Sequence, residues 1–284
     1  MLTIFISFVM LTGITLAIVY NTKYRNHPWD IYYPKLAWMR GGMYFCACYT
    51  LSYFTGAMEL ILTSPIVTAE QLSNPNWIWF TAGITAFIVG AYSILWSYFT
   101  PVFERKRNPL ISALFGFLWG SSSGQLFLSI WILTGYLPLP PWGSAVVTFT
   151  IAAAYQPNWH NIYWDHYIAP EHDTPMTQVI KATCCHIPNL AILLTYLTLY
   201  DNYLIFVLAQ VVACMSAGLG MRYPAPWAEP SKLNYAVRTN ARIPRCTGYI
   251  PEDPKTDPYT PFYPGWKGKR KSAASSAAPD AGQA

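Results

Sequence analysis

Four long stretches of the chain carry no formally charged residue, and they limit the possible folds more than any other feature. They run from 71 to 103, from 108 to 164, from 182 to 200 and from 202 to 221. A membrane-spanning helix needs about 20 predominantly apolar residues. Only 11% of the residues are charged and 53% are hydrophobic, whereas about 25% are charged in an ordinary soluble domain. The pattern predicts an integral membrane protein and argues against a water-soluble domain.

The apolar runs are continuous and do not alternate with polar residues, which favours transmembrane helices over a membrane barrel. Met1 to Tyr20 is interpreted as an uncleaved first helix, because its basic residues follow the apolar run. Prolines and tryptophans cluster between the runs, where helices begin and end. The sequence therefore predicts an all-α integral membrane protein with a bundle of about seven transmembrane helices. These are placed near residues 1–21, 41–63, 77–100, 109–135, 142–164, 176–200 and 203–221.

The basic residues are confined to one side of such a bundle. All 18 Lys and Arg residues lie in or beside every second connection, or in the carboxyl-terminal tail. The opposite connections carry only Glu70 and Asp201. Connections rich in Lys and Arg remain in the cytoplasm. We therefore expect a multi-pass protein of a bacterial cytoplasmic membrane, with its amino terminus outside and its carboxyl terminus in the cytoplasm.

Three regions of the chain differ in composition. Residues 1–222 form the predicted seven-helix domain, and residues 223–266 form a cytoplasmic segment rich in proline and aromatic residues. Residues 267–284 are basic and then rich in Ala and Ser, which predicts a disordered tail. The middle segment either packs over the cytoplasmic loops, where it can bind a membrane protein partner or anionic lipid, or is a solvated tail. No nucleic-acid partner is expected.

A dense group of polar side chains follows the fifth predicted helix. A helix that starts at Trp142 places His160 about 27 Å along its axis, near the cytoplasmic rim. Asn161 and Asp165 are four residues apart and share a face if the helix continues. We therefore predict an inward-opening site with His160 and Asp165 as catalytic residues. Asn161 and Trp164 are the predicted substrate-binding residues, and the alternative is an interfacial belt of aromatic residues.

The same segment contains imidazole and carboxylate groups of the kind that bind metal ions. They are His160, His166, His172 and Glu171. Because the three histidines are six residues apart, neighbouring rings on a helix would point about 120° away from each other. The chain also has no HExxH motif. We therefore predict neither a metal nor another cofactor.

Two ionisable residues lie deep within predicted helices, where such side chains usually face the bundle interior. Glu59 lies about one turn from the outer end of the second helix. It is either a protonated acid in an apolar pocket or a carboxylate that reaches water at the rim. His186 lies near the middle of the membrane, and its alternative role is a satisfied hydrogen bond between helices. We predict both as catalytic residues.

Three uncharged polar residues lie at comparable depth. Gln125 follows the Gly120–Gly124 run, which is interpreted as a packing surface and not as a ligand-binding loop. Asn189 lies close to His186, and Gln210 lies midway along the seventh helix. We predict Gln125, Asn189 and Gln210 as substrate-binding residues that line one polar cavity together with Glu59 and His186.

These residues favour a membrane-embedded enzyme that transfers a proton to or from an isoprenoid, sterol-like or other lipid substrate. Glu59 or Asp165 would donate or accept the proton, assisted by His160 or His186. In helix number and outward amino terminus the chain resembles the seven-helix terpene cyclases of meroterpenoid pathways, whose second helix also carries an acid. This resemblance covers architecture only. The alternatives are a non-catalytic subunit or assembly factor of a membrane complex, and a transporter.

Overall fold

The structure is a computed structural model. It describes residues 31–32, 34–96, 108–155, 179–221, 223–228 and 231–232, together with Thr3, Ile6, Ser7 and Met10. The described residues are predominantly helical, as predicted, and the exceptions are connecting turns and one pair of two-residue strands.

The helices follow the apolar runs. They are α1 (Pro34–Thr55), α2 (Ala57–Thr63), α3 (Ala69–Ser73), α4 (Pro75–Gly90), α5 (Pro109–Thr134), α6 (Pro141–Tyr155), α7 (Ile187–Tyr200) and α8 (Tyr203–Met221). Two segments are π-helical: π1 (Ala91–Trp96) continues α4, and π2 (Ala182–His186) leads into α7. The strands β1 (Ile31–Tyr32) and β2 (Ser231–Lys232) pair antiparallel.

Three of the described helices are long and apolar enough to cross a membrane. They comprise Pro75–Trp96, Val179–Tyr200 and Tyr203–Gly220. Ala37–Thr55 and Ala57–Thr63 form a fourth if the two helices, which are bent by 77°, are taken as one span. The chain is therefore compatible with a membrane protein. The predicted number of seven helices and their orientation remain predictions, because parts of the predicted spans lie outside the described residues.

The bend between α1 and α2 occurs at Gly56, inside a stretch predicted as one helix. Gly56 has a φ angle of +82°, in the left-handed region that glycine enters at little cost. The preceding helix also begins earlier than predicted, at Pro34 and not near residue 41. Consequently α1 and α2 point in different directions although the apolar run is continuous.

Helix α5 lies at the centre of the described bundle. Every residue from Trp119 to Ile130 is buried, and α5 packs against both α1 and α8. A helix enclosed by protein in this way does not need an apolar surface toward lipid. This position explains why α5 can carry a Gly/Ser run and a glutamine in its middle.

The contact between α5 and α8 depends on glycines at every fourth position of α5. A Cβ atom on Gly116 would lie 2.5 Å from the carbonyl oxygen of Cys214, and one on Gly120 would lie 2.6 Å from that of Gln210. A Cβ atom on Gly124 would lie 2.9 Å from a methyl carbon of Val207. The two backbones approach this closely because glycine has no side chain. The interpretation of the Gly/Ser run as a packing surface is confirmed.

The start of the carboxyl-terminal segment packs against the bundle. Trp38 donates a hydrogen bond from Nε1 to the carbonyl oxygen of Pro224 at 2.9 Å. Ser112 donates to the carbonyl oxygen of Tyr223 at 3.3 Å, and the rings of Tyr223 and Phe115 are 4.2 Å apart. The chain therefore returns to α1 and α5 after α8. Residues from 233 onward lie outside the described part of the chain.

Candidate functional site

The two π-helical segments face each other beside α8 and form the centre of the candidate site. Cys185 in π2 lies with its sulfur 3.5 Å from the carbonyl oxygen of Ala91 at the start of π1. A π-helical turn interrupts the regular register of a helix, and such turns are frequent at functional sites. Here they bring aromatic and ionisable side chains from two long helices together.

A tyrosine and a histidine from the two π-helical segments meet at the centre of this site. The hydroxyl oxygen of Tyr92 lies 3.3 Å from Nδ1 of His186. Tyr92 is buried and His186 is half-buried. A phenol and an imidazole at hydrogen-bonding distance can exchange a proton and can act together as general acid and base. The same contact is also the hydrogen bond between helices that was predicted as the alternative role of His186.

The indole ring of Trp96 packs against the imidazole of His186. The rings of Trp96 and His186 are 4.6 Å apart and meet edge to face at 68°. Lys181 places its Nζ atom 5.1 Å from the centroid of the same indole, within the range of a cation–π interaction. Trp96 and Lys181 are both buried. The site thus combines an aromatic surface with a positive charge shielded from solvent.

Two amide side chains continue the polar group toward the interior of the bundle. Nδ2 of Asn189 donates to Oε1 of Gln210 at 3.4 Å, which joins α7 to α8. The Asn189 side chain lies one turn after His186 and close to Tyr92. Three residues predicted from the sequence, His186, Asn189 and Gln210, therefore lie together beside Tyr92.

Gln125 belongs to a different polar cluster, between α1 and α5. Its Oε1 accepts a hydrogen bond from Ser52. Its carbonyl oxygen accepts one from Ser129 at 2.7 Å, and Thr55 donates to the Ser129 hydroxyl at 3.2 Å. These hydrogen bonds tie α1 to α5. Within the described residues no hydrogen bond joins Gln125 to the group around His186, and the predicted role of Gln125 in substrate binding stays a prediction.

Glu59 lies in the first turn of α2, and its side chain is exposed. This position agrees with a carboxylate at the rim and does not agree with a protonated acid in an apolar pocket. The bend at Gly56 accounts for the difference, because it turns α2 by 77° away from the direction of the preceding helix. Glu59 therefore does not line a cavity with the other predicted residues.

The predicted inward-opening site lies outside the described residues. His160, Asn161, Trp164 and Asp165 belong to this undescribed part of the chain, as do His166, Glu171 and His172. Their predicted roles remain predictions. In the part of the chain that is described, no three His, Cys, Asp or Glu side chains are close enough together to hold a metal ion.

The sequence pattern does not identify Tyr92, Trp96 or Lys181 as members of the site. The pattern predicts that Trp96 lies at the membrane interface and that Lys181 marks the cytoplasmic side of the membrane. Both residue types are common at helix ends for these reasons. The signal that the sequence does contain is the phenol of Tyr92, which lies inside an apolar run where a buried hydroxyl needs a partner. Because His186 is predicted at similar depth on another helix, the two residues are natural partners.

The arrangement supports general acid–base chemistry in a largely apolar surrounding. No protein-family model, curated protein or solved structure matches the chain.

Proposed function

We propose that this protein is a multi-pass membrane enzyme that transfers a proton to or from a hydrophobic molecule of the isoprenoid, sterol-like or other lipid class. The observation that carries the proposal is the 3.3 Å contact between Tyr92 and His186 against the Trp96 ring. The proposal includes a bacterial cytoplasmic membrane as the location and an amino terminus on the outside.

The proposed roles follow from the chemistry of each side chain. His186 takes up or releases the proton, because an imidazole changes its protonation state near neutral pH. Tyr92 holds the imidazole in position and exchanges the proton with it. The Trp96 ring packs against the imidazole and provides apolar surface beside the substrate. Asn189 and Gln210 orient a polar group of the substrate.

Residues outside the described part of the chain complete the proposal. His160 and Asp165 remain proposed catalytic residues, and Asn161 and Trp164 remain proposed substrate contacts at the cytoplasmic rim. Gln125 is proposed to support the site indirectly by holding α5 against α1. Glu59 is not included, because its exposed side chain is turned away with α2.

Incorporation of deuterium from D₂O into lipid tests the proposal. A mixture of lipids is used, so that no single substrate has to be chosen. The purified chain in nanodiscs is incubated with a bacterial lipid extract in D₂O, and mass spectrometry measures deuterium bound to carbon in each lipid. Proton transfer to carbon is expected to label at least one lipid. His186→Gln and Tyr92→Phe are expected to reduce labelling at least about 100-fold, because general acid–base groups contribute about 10²–10⁴ in rate.

The matched control is Tyr196→Phe, which removes another buried tyrosine hydroxyl at the opposite end of α7. This variant is expected to keep its labelling rate if it accumulates normally in the membrane. The absence of any lipid labelled by the wild-type protein would contradict the proposal. Unchanged labelling in the His186→Gln variant would contradict the assigned site.

A further inference from the structure

We infer that Asn189 and Gln210 bind one hydroxyl group, so that the hydrophobic molecule at this site is an alcohol. The inference rests on the proposed function for the hydrophobic character of the molecule and adds its polar group. It starts from two buried amides, with Asn189 4% exposed and Gln210 5% exposed. Their mutual hydrogen bond leaves Oδ1 of Asn189 and Nε2 of Gln210 without a partner among the described residues.

The two unpaired atoms define the chemistry of the missing partner. One is a hydrogen-bond acceptor and the other is a donor. This result does not depend on which way each amide is turned, because a single mutual bond always uses the donor of one amide and the acceptor of the other. A carbonyl or ether oxygen only accepts, and an ammonium group only donates. A hydroxyl does both at one oxygen atom.

Other buried amides in this protein show that such atoms are normally paired. Asn202 is 3% exposed, and its amide makes four hydrogen bonds. Oε1 of Gln125 accepts from Ser52. Buried polar atoms without partners are uncommon in folded proteins, and each needs an explanation, of which a bound molecule is one. Asn189 and Gln210 also join two helices, but unlike Asn202 each keeps one amide atom without a partner among the described residues.

The position of the pair relates the hydroxyl to the acid–base residues. Asn189 lies close to Tyr92, whose hydroxyl contacts Nδ1 of His186 at 3.3 Å. An alcohol bound between Asn189 and Gln210 therefore places its carbon skeleton beside the proton-transfer pair. A buried water could supply the same hydroxyl chemistry, since it also donates and accepts. The experiment must separate these two sources.

Photoactivatable alcohols and their methyl ethers separate the two sources directly. The panel contains a prenyl alcohol, a sterol and a long-chain fatty alcohol, each paired with its ether, and labelling is measured on the full chain in nanodiscs. At least one alcohol is expected to label the α7 and α8 peptides about tenfold more than its ether, because the ether cannot donate to the unpaired acceptor. This comparison needs no variant.

The double variant Asn189→Leu/Gln210→Met locates the preference. Replacing both partners by apolar groups of similar shape is close to neutral for folding, so the chain is expected to accumulate normally. The alcohol-to-ether ratio should fall from about ten to about one. The matched control Thr134→Val/Thr148→Val removes another buried pair, between α5 and α6, and should leave the ratio unchanged.

Equal labelling by every alcohol and its ether would leave water as the occupant and overturn the inference. A ratio that persists in Asn189→Leu/Gln210→Met would also overturn it, because the preference would then come from other residues. The two proposals can fail separately. If His186→Gln retains the preference for alcohols, and even the wild-type protein shows no deuterium exchange, the proton-transfer proposal is wrong and the alcohol site stands. If exchange occurs without alcohol preference, the alcohol site is wrong.

Discussion

Asn202 uses its whole side-chain amide to join separate parts of one end of the bundle. Its Oδ1 accepts hydrogen bonds from Nε1 of Trp77 and the hydroxyl of Tyr196, each at 3.0 Å. Its Nδ2 donates to the carbonyl oxygen of Ile66 at 3.3 Å and to Oε1 of Gln71 at 3.2 Å. One buried residue thus fixes the connection before α4 and the turn between α7 and α8.

Removal of this amide is expected to cost more than the loss of one contact. Asn202→Ala leaves several buried donors and acceptors without partners, which is expected to lower the free energy of unfolding by about 3 kcal/mol. Titration of the purified protein from a mild into a denaturing detergent measures the change. The control Asn76→Ala alters an exposed asparagine and is expected to change stability by less than about 0.5 kcal/mol. Equal stability of both variants would refute the assigned role of Asn202.

Depth within an apolar run identifies some site residues and fails for others. His186, Asn189 and Gln210 come together because all three lie deep in helices that pack against one another, where polar groups turn inward. Depth fails for Glu59, because it does not reveal the bend at Gly56. Tyr92 is missed although it lies inside an apolar run, because only its contact with His186 distinguishes it from the other tyrosines of the chain.

At the scale of elements, α8 carries part of the site and is positioned by α5. A Cβ atom on Gly120 would lie 2.6 Å from both the carbonyl oxygen of Gln210 and the Cα of Val211. Both are backbone atoms, so they cannot move aside as the end of a side chain could. The glycine contact therefore sets the distance between the two helices and also the position of Gln210.

Gly120→Ala is expected to push α8 away from α5. Overpacking of this kind typically costs about 1–3 kcal/mol, and solvent deuterium exchange should fall because Gln210 moves with the backbone. The control is Gly83→Ala on α4, where a Cβ atom meets nothing within 4 Å. That change should be neutral or stabilise the helix by up to about 1 kcal/mol. Equal stability and exchange in both variants would contradict the proposed dependence.

The apolar runs predict where the helices lie but not their internal irregularities. Pro109 starts a helix at the predicted residue, and Pro75 starts α4 two residues before the predicted position, because proline fits the first turn. The short helix α3 is missed, although Thr68 and Gln71 form a capping box at its start. The π-helical segments could not be predicted, because their register depends on the contacts between them and not on local sequence.

At the scale of the whole molecule, the distribution of basic residues connects the site to one side of the membrane. Lys181 precedes π2 directly, and the run Arg105–Arg107 follows soon after π1. The site therefore lies toward the end of the bundle that is predicted to be cytoplasmic. The residues around Asn202 lie at the other end of the bundle, where α4 begins and α7 ends. The proposed enzyme would thus exchange protons with the cytoplasm and be closed on the outside.

Two exposed asparagines allow this orientation to be tested with matched variants. Asn76 lies in the first turn of α4 and Asn108 caps α5, so they mark opposite ends of the bundle. In a variant whose native cysteines are replaced by serine, Asn76→Cys is expected to react with a membrane-impermeant maleimide in intact spheroplasts. Asn108→Cys should react only after the membrane is permeabilised, because the adjacent Arg105–Arg107 run keeps this connection in the cytoplasm. Reaction of Asn108→Cys in intact spheroplasts, with Asn76→Cys protected, would invert the topology and place the opening of the Tyr92–His186 site on the outer face.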